Sequence, residues 1–174
     1  MKPSNHHQTA ILETERLRLR EFSLEDAEFI ITLLNSAGWL RFIGDRNVRT
    51  KEDAENYLKK GPMKSYEQNG FGLSMVETKD RIPIGMCGIV KRDSLEHPDI
   101  GFAFLPEYAS KGYGYEMASA VLKYAKQDLR LPTILAITLP DNVNSIRLLE
   151  KIGFGFVKSF RTEPSSEDLL LYSN

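Results

Sequence analysis

The sequence predicts a mixed α/β (α+β) layer fold, a sheet of about seven strands covered by about four helices. Three observations carry that expectation. Short segments with two-residue alternation or buried-type apolar runs recur along the chain. Between them lie segments whose apolar residues fall at helical spacing, opened by Ser, Thr or Asn and closed by Gly. Their order is a strand, two helices, a hairpin meander, and then strand–helix–strand–helix–strands.

Residues 16–21 alternate, with Leu17 and Leu19 on one face and Arg16, Arg18 and Arg20 on the other, the pattern of a half-exposed strand. Ser23 reads as an N-cap and Asp26 completes a capping box. The helix behind it carries Ala27, Ile30, Ile31 and Leu34. Thr50 caps a second helix, with Ala54, Tyr57 and Leu58, expected to stop at Gly61-Pro62. Residues 71–78 and 83–91 form a hairpin around Lys79-Asp80-Arg81, and 99–105 is a third strand ended by Pro106. A long helix over 112–128 lines one face with Met117, Ala118, Val121, Leu122 and Ala125. Residues 133–138 read as a buried strand, 142–151 as a short helix closed by Gly153, and 154–160 and 168–172 as a final strand pair.

The 174 residues suit one domain; residues 1–10 read as a flexible polar tail and 11–174 as that domain. Lys and Arg number 23 against 24 Asp and Glu, a net charge of −1, so no global basic field draws the chain to nucleic acid or a membrane. The single cysteine, Cys87, excludes an intrachain disulfide and a multi-thiolate metal site. No apolar run approaches the ~20 residues of a membrane span, and the N-terminus lacks a signal-peptide core. A cytoplasmic enzyme or binding protein is expected.

The chemistry begins at Pro106-Glu107-Tyr108-Ala109-Ser110-Lys111-Gly112-Tyr113-Gly114-Tyr115-Glu116. A helix start leaves about four N–H groups without partners and carries about half a positive charge. A phosphate satisfies both. Gly112 and Gly114 remove β-carbons that would hold a pyrophosphate away, and Lys111 adds a mobile charge. A plain helix start with two glycines in its lead-in accounts for the same pattern. The nucleotide P-loop is excluded by the lack of a Gly-Lys-Ser/Thr ending, and the dinucleotide fingerprint by the lack of a third glycine.

About thirty residues on stands Asp141-Asn142-Val143-Asn144-Ser145-Ile146-Arg147-Leu148-Leu149-Glu150-Lys151-Ile152-Gly153-Phe154. Together the two motifs resemble the GNAT superfamily of acetyl-CoA-dependent N-acetyltransferases, and more narrowly its branch of ribosomal-protein-alanine N-acetyltransferases (RimJ/RimL-like). Asn142, Ser145, Leu149, Glu150, Lys151, Gly153 and Phe154 match that branch's pattern in register. The opening Glu13-Thr14-Glu15-Arg16-Leu17-Arg18-Leu19-Arg20 resembles its first strand, Asp99-Ile100-Gly101-Phe102 its central strand, and Gly112 to Glu116 its Gly-Tyr-Ala-Thr-Glu segment.

The resemblance implies a GNAT fold with a mixed, mostly antiparallel twisted sheet. It implies acetyl-CoA as co-substrate, with no metal. Backbone groups at Phe104 and Leu105 would pair with the pantetheine arm, and those of Ser110, Lys111, Gly112, Tyr113, Gly114 and Tyr115 would hold the pyrophosphate. Asn142 would bond the pantetheine or the chain near it, and Ser145 would face the thioester sulfur. Arg147 and Lys151 could reach the 3′-phosphate, though a solvated helix face explains both. Two residues depart from the pattern. Ala109 stands where Arg, Gln or Trp is common, and Leu149 where many members carry the tyrosine that protonates the thiolate. Ser145 is the candidate substitute acid. The implied reaction is direct attack of a primary amine on the thioester, with a protein N-terminal α-amine as first acceptor. A small-molecule amine (polyamine, amino acid or antibiotic) and a non-catalytic acyl-CoA sensor are the alternatives. The resemblance also allows a homodimer.

The candidate base is Asp99, whose face Gly101 and Ala103 share by two-residue periodicity; an exposed strand-start aspartate is the competing reading. Glu116, in the first turn of the long helix, favours the helix dipole. Glu107 reads as a loop carboxylate, His97 beside Pro98 as either solvent-exposed or lining an acceptor site, and Cys87 as a packed side chain. His6 and His7 lack a third ligand. Trp39, Phe42 and Tyr57 either shape an acceptor pocket or pack the core. Glu52, Asp53 and Glu55 either line an acidic pocket or decorate a helix.

Overall fold

A computed structural model of the chain describes residues 9–164 and 166–174. Most of the expected tail, residues 1–8, lies outside the described residues, and Ala10 already belongs to a strand. Eight strands, β1 (Ala10–Glu13), β2 (Leu17–Arg20), β3 (Leu73–Thr78), β4 (Pro83–Val90), β5 (Asp99–Phe104), β6 (Leu135–Thr138), β7 (Gly155–Phe160) and β8 (Leu169–Ser173), form one sheet in the order β1-β2-β3-β4-β5-β6-β8-β7. All neighbours are antiparallel except β5 and β6. The α/β expectation holds, with one strand more than the sequence indicated. That strand, β1, is four residues long and too short to show a period.

The helices are α1 (Ala27–Leu34), α2 (Ala37–Phe42), α3 (Lys51–Leu58), α4 (Lys64–Asn69), α5 (Tyr113–Gln127) and α6 (Val143–Lys151). On one face of the sheet, Met117, Ala118, Val121 and Ala125 of α5 pack with Val76, Cys87 and Ile100. On the other, Ile30, Leu33, Trp39, Ala54 and Leu58 of α1–α3 pack with Met75, Met86 and Leu105. The caps form as the sequence indicates. Ser23 and Asp26 close a capping box ahead of α1, and Thr50 Oγ1 accepts from the Asp53 N–H at 3.1 Å.

Two expectations are corrected. The helix begun at Thr50 does not stop at Gly61-Pro62. It passes through a π-helical turn, Lys59–Met63, into α4, and Gly70 ends it at φ 75°. The widened turn lets the chain continue past a proline that has no N–H to give. Nor is β2 half-exposed, for Arg18 is only 7% accessible. Its guanidinium meets Glu77 at 2.6 Å on the neighbouring strand and Glu13 at 2.8 Å. Arg20 bonds Asp26 through both terminal nitrogens at 2.9 Å, and Glu77 at 3.0 Å. Burial of these charges is sustained by mutual pairing across β1, β2, β3 and the start of α1.

Candidate functional site

The loop before α5 holds two left-handed residues, Ser110 at φ 60° and Gly112 at φ 80°. Gly112 is the N-cap and caps nothing with a side chain. Among the described residues, no acceptor meets the N–H groups of 110–115. At Gly114 an added Cβ would lie 3.3 Å from Leu148 Cδ2 and 3.7 Å from a Phe104 ring carbon, so close packing against α6 and β5 favours glycine there. Lys111 Nζ lies 5.3 Å from the Tyr108 ring centroid and Lys151 Nζ 4.3 Å from that of Tyr115. Two lysines and three bare helical N–H groups make this end of α5 electropositive.

Arg16, read as the start of the first strand, lies just ahead of β2 and is exposed as expected, but its side chain is engaged. Its Nε bonds Glu116 at 2.6 Å, its Nη1 bonds the Lys111 carbonyl at 2.9 Å, and its guanidinium stacks 4.6 Å from the Tyr113 centroid. Glu116 also accepts from Thr14 Oγ1 at 2.6 Å and the Arg16 N–H at 2.8 Å. Partial burial would raise its pKa, but these hydrogen bonds prevail and hold it below the usual carboxylate value. Glu116 is thus a clamp between the β1–β2 turn and the start of α5. The signal was the Thr14-x-Arg16 lead-in, whose partner lies 100 residues away.

Beside this loop the sheet splits. β5 and β6 pair only at Asp99–Leu135. The Leu135 N–H donates to the Pro98 carbonyl at 2.9 Å, and the Leu105 N–H to the Ile84 carbonyl at 2.9 Å. Backbone groups alternate sides along a strand, so the even residues of β5 face β6 and the odd ones face β4. Phe102 and Phe104 therefore present backbone groups to the widening gap. Leu105, expected to do the same, does not. Its N–H is taken by Ile84 and its carbonyl by the Tyr108 N–H at 3.0 Å.

Beyond the end of β6 comes the start of α6. Asn142 Oδ1 accepts from the Ser145 N–H at 3.2 Å and so caps the helix. Ser145 is half-buried, and its hydroxyl has no partner among the described residues. Leu149, one turn on, is 1% accessible and belongs to the core. Arg147 is exposed. The Thr138 hydroxyl at the end of β6 is buried without a partner among the described residues, on the α6 side of the sheet.

At the apex of the split sits Asp99, and the exposed-aspartate reading fails: it is 2% accessible. Burial raises its pKa above the usual carboxylate value, and the Arg92 guanidinium, with Nε at 2.8 Å, opposes that rise. By register Asp99, Gly101 and Ala103 face the α1–α3 side. There Tyr57 is half-buried, its pKa raised by burial and drawn back by Arg46 and Arg92. Tyr57 forms one wall of an open cleft of about 420 Å³ beside α3. Trp39 packs into the core at 5% accessibility, its indole N–H unpartnered among the described residues, and Phe42 lies under the Arg41 guanidinium.

The remaining candidates fall away from this centre. Asp53 is consumed by its cap, accepting from the N–H groups of Arg49 and Thr50, and Glu55 pairs with Lys51 and Lys59. Glu52 and Glu107 are exposed, and His97 is half-buried rather than exposed. Burial pushes the Cys87 thiol up to about 12, which leaves it unreactive. His6 and His7 lie outside the described residues.

Residues 16–155 match the family of acetyltransferase (GNAT) domains. The uncharacterized N-acetyltransferase YoaA of Bacillus subtilis is 32% identical over 147 residues, 83% of this chain and 82% of that protein. The crystal structure of a GNAT-family acetyltransferase from Bacillus anthracis superposes with a TM-score of 0.77 at 29% identity, covering 94% of this chain and 96% of the other. Two Vibrio structures share the fold alone. The ribosomal-protein-S5-alanine acetyltransferase of Vibrio fischeri has a TM-score of 0.73 at 20% identity over 94% of both chains. A spermidine N-acetyltransferase from Vibrio cholerae, in complex with CoA and spermine, has 0.76 at 19% over 92% of this chain and 96% of that one.

Proposed function

Because the chain belongs to the GNAT acetyltransferase family, we propose that it moves acetyl from acetyl-CoA directly onto a primary amine, with the α-amine of a protein or peptide N-terminus as acceptor. The observation that carries this is the unpaired edge of β5, which runs from the uncapped start of α5 to the buried carboxylate of Asp99. The N–H groups of 110–115 would hold the pyrophosphate, and the Phe102 and Phe104 backbone the pantetheine amides, as an added strand pairs with a free edge. The fit is supported by bare donors at one end, a free strand edge in the middle and a half-buried residue with a hydroxyl, Ser145, in the first turn of the helix after β6. The donor supplies an acyl group activated as a thioester.

In the transfer an N–C bond forms and the C–S bond breaks. The sulfur leaves with the electron pair and takes a proton, and the amine gives one up. Asp99, a stronger base than an ordinary carboxylate because of its burial, accepts the amine proton directly or through one water. Ser145 gives the leaving sulfur a hydrogen bond. A thiol whose unperturbed pKa is about 8.5 needs no stronger acid. An α-amine, with an unperturbed pKa of ~7.8, is partly neutral at pH 7 already. Most of the acceleration then comes from orientation along the β5 edge.

The test is thiol release from acetyl-CoA across a panel of peptides and small amines, with CoA affinity measured by calorimetry. Turnover on N-terminal α-amines is expected. Tight CoA binding without turnover on any amine would instead make the chain a sensor.

A further inference from the structure

We propose that the cleft beside α3 receives an anionic group of the acceptor, so that the amine substrate carries a carboxylate a few bonds from its reacting nitrogen. This rests on the acetyl-transfer reading and names the substrate class for that site. The cleft, about 420 Å³, is lined by Arg46, Asn47, Asp53, Asn56, Tyr57 and Lys60 among others. Its two cations, Arg46 and Lys60, have no ion-pair partner among the described residues, whereas the neighbouring Arg49 is paired with Asp45 at 2.6 Å. The one lining acid, Asp53, is already committed. Its carboxylate accepts from the Arg49 N–H at 3.0 Å and the Thr50 N–H at 2.9 Å, closing the start of α3.

Lys60 and Gly61 reach the cleft from the π-helical turn, a distortion that recurs at functional sites. Two amides, Asn47 and Asn56, and the Tyr57 hydroxyl add uncharged hydrogen-bonding groups. Tyr57 and Ala103 pack against the same buried cluster, and Arg92 holds Asp99 at the apex of the split sheet. The cleft thus opens on the side of the sheet that Asp99, Gly101 and Ala103 face, the side from which Asp99 would meet the amine. A guanidinium and an ammonium offer a carboxylate charge-assisted hydrogen bonds. They repel a polycation, which would need the acids that Asp53 and Glu55 commit elsewhere.

The experiment measures acetyl transfer by the full chain at saturating acetyl-CoA on matched amines. One set is the tripeptide amides Ala-Glu-Gly, Ala-Gln-Gly and Ala-Lys-Gly. A second is β-alanine and β-alaninamide, and spermidine is the polycation. The two sets separate a peptide from a free amino acid as the source of the carboxylate. In at least one set the carboxylate-bearing member should exceed its neutral partner at least tenfold in kcat/KM, with spermidine poorest. The double variant Arg46→Ala/Lys60→Ala should raise KM for that member at least tenfold and abolish the discrimination. Its circular dichroism and calorimetric CoA affinity report whether it is folded. Discrimination that survives in a folded double variant overturns the proposal. So do equal rates within both sets, or a preference for the lysine peptide or spermidine. Thiol release with no amine at all, beside intact CoA binding, overturns the transfer reading and this inference with it.

Discussion

Gly112 and Gly70 offer a matched pair for testing the proposed phosphate loop. Gly112 opens α5 at φ 80°, ψ 1°, and Gly70 closes α4 at φ 75°, ψ 7°. Alanine costs about 1–2 kcal/mol in this left-handed region. At Gly70 nothing lies within 4 Å of the new Cβ, but at Gly112 it meets Arg16 Nη2 at 3.2 Å. Arg16 must give way, and its links to Glu116 and the Lys111 carbonyl brace the loop. Loosening that exposed pair adds up to about 1 kcal/mol. Holding the binding conformation would therefore cost the Gly112→Ala loop about 1–3 kcal/mol. That corresponds to a loss of CoA affinity of about 5- to 150-fold if the free loop relaxes elsewhere. Gly70→Ala carries the same backbone penalty and should lower Tm by about 2–8 °C without touching affinity. Calorimetric titration with CoA, beside thermal unfolding of both variants, decides the matter. CoA binding by Gly112→Ala within threefold of the parent would refute the assignment of the loop, as would an equal affinity loss in Gly70→Ala.

Removing Arg92 takes away the charge that opposes the burial of Asp99, so in Arg92→Met the Asp99 pKa climbs. The amine's own ionisation gives kcat/KM one acidic limb; the second inflection, at lower pH, should move to higher pH, and Asp99→Asn should remove it, and a second inflection that stays in place excludes Asp99 as the base. The sign for stability follows: a carboxyl whose folded pKa is raised loses stability as pH rises through that pKa, so the stability gap between Arg92→Met and its parent should widen from acid to neutral pH in thermal unfolding. Glu77→Gln leaves Arg18 and Arg20 buried with one counterion fewer and should cost about 3–5 kcal/mol in urea unfolding; a loss under about 1 kcal/mol would mean that Glu13 and Asp26 suffice. Ser145→Ala keeps the cap, because the bond to Asn142 comes from the Ser145 backbone N–H. It should lower kcat more than CoA affinity, and unchanged turnover would remove the hydroxyl from the chemistry.

What was legible in the sequence is what neighbouring residues encode. Gly112, Gly114 and the apolar stripe of α5 sit in one window, as do Asn142, Ser145 and their capping turn, so loop and helix starts could be read directly. The strand-start Asp99 was placed correctly, but its burial depends on Arg92 in the preceding loop and on helices that cross the sheet from distant sequence. Arg18 looked solvent-facing because its partner Glu77 lies 59 residues on. The choice between Phe104 and Leu105 turns on which side of β5 is paired, and that is settled by Ile84 and Leu135, not by β5 itself. Pro62 read as a stop because a π-helical turn has no local signature distinct from a break.

The two departures from the family pattern bear differently on catalysis. Ala109 is exposed and contributes its N–H to the Pro106 carbonyl at 3.1 Å, so the loop's shape asks nothing of that side chain. Leu149 is buried in the core, and one turn earlier on the same helix only Ser145 offers a hydroxyl. On the proposed reading that weak acid suffices, because a thiol leaves readily and the harder proton is the amine's. Unperturbed pKa values of about 7.8 and about 10.4 make the neutral fraction of an α-amine roughly 400 times that of a lysine ε-amine below both values. Preference for an α-amine therefore needs no dedicated recognition of the nitrogen. On the same reading it would follow from a base no stronger than a buried carboxylate, and the side chains around the cleft would be left to read what the amine is attached to.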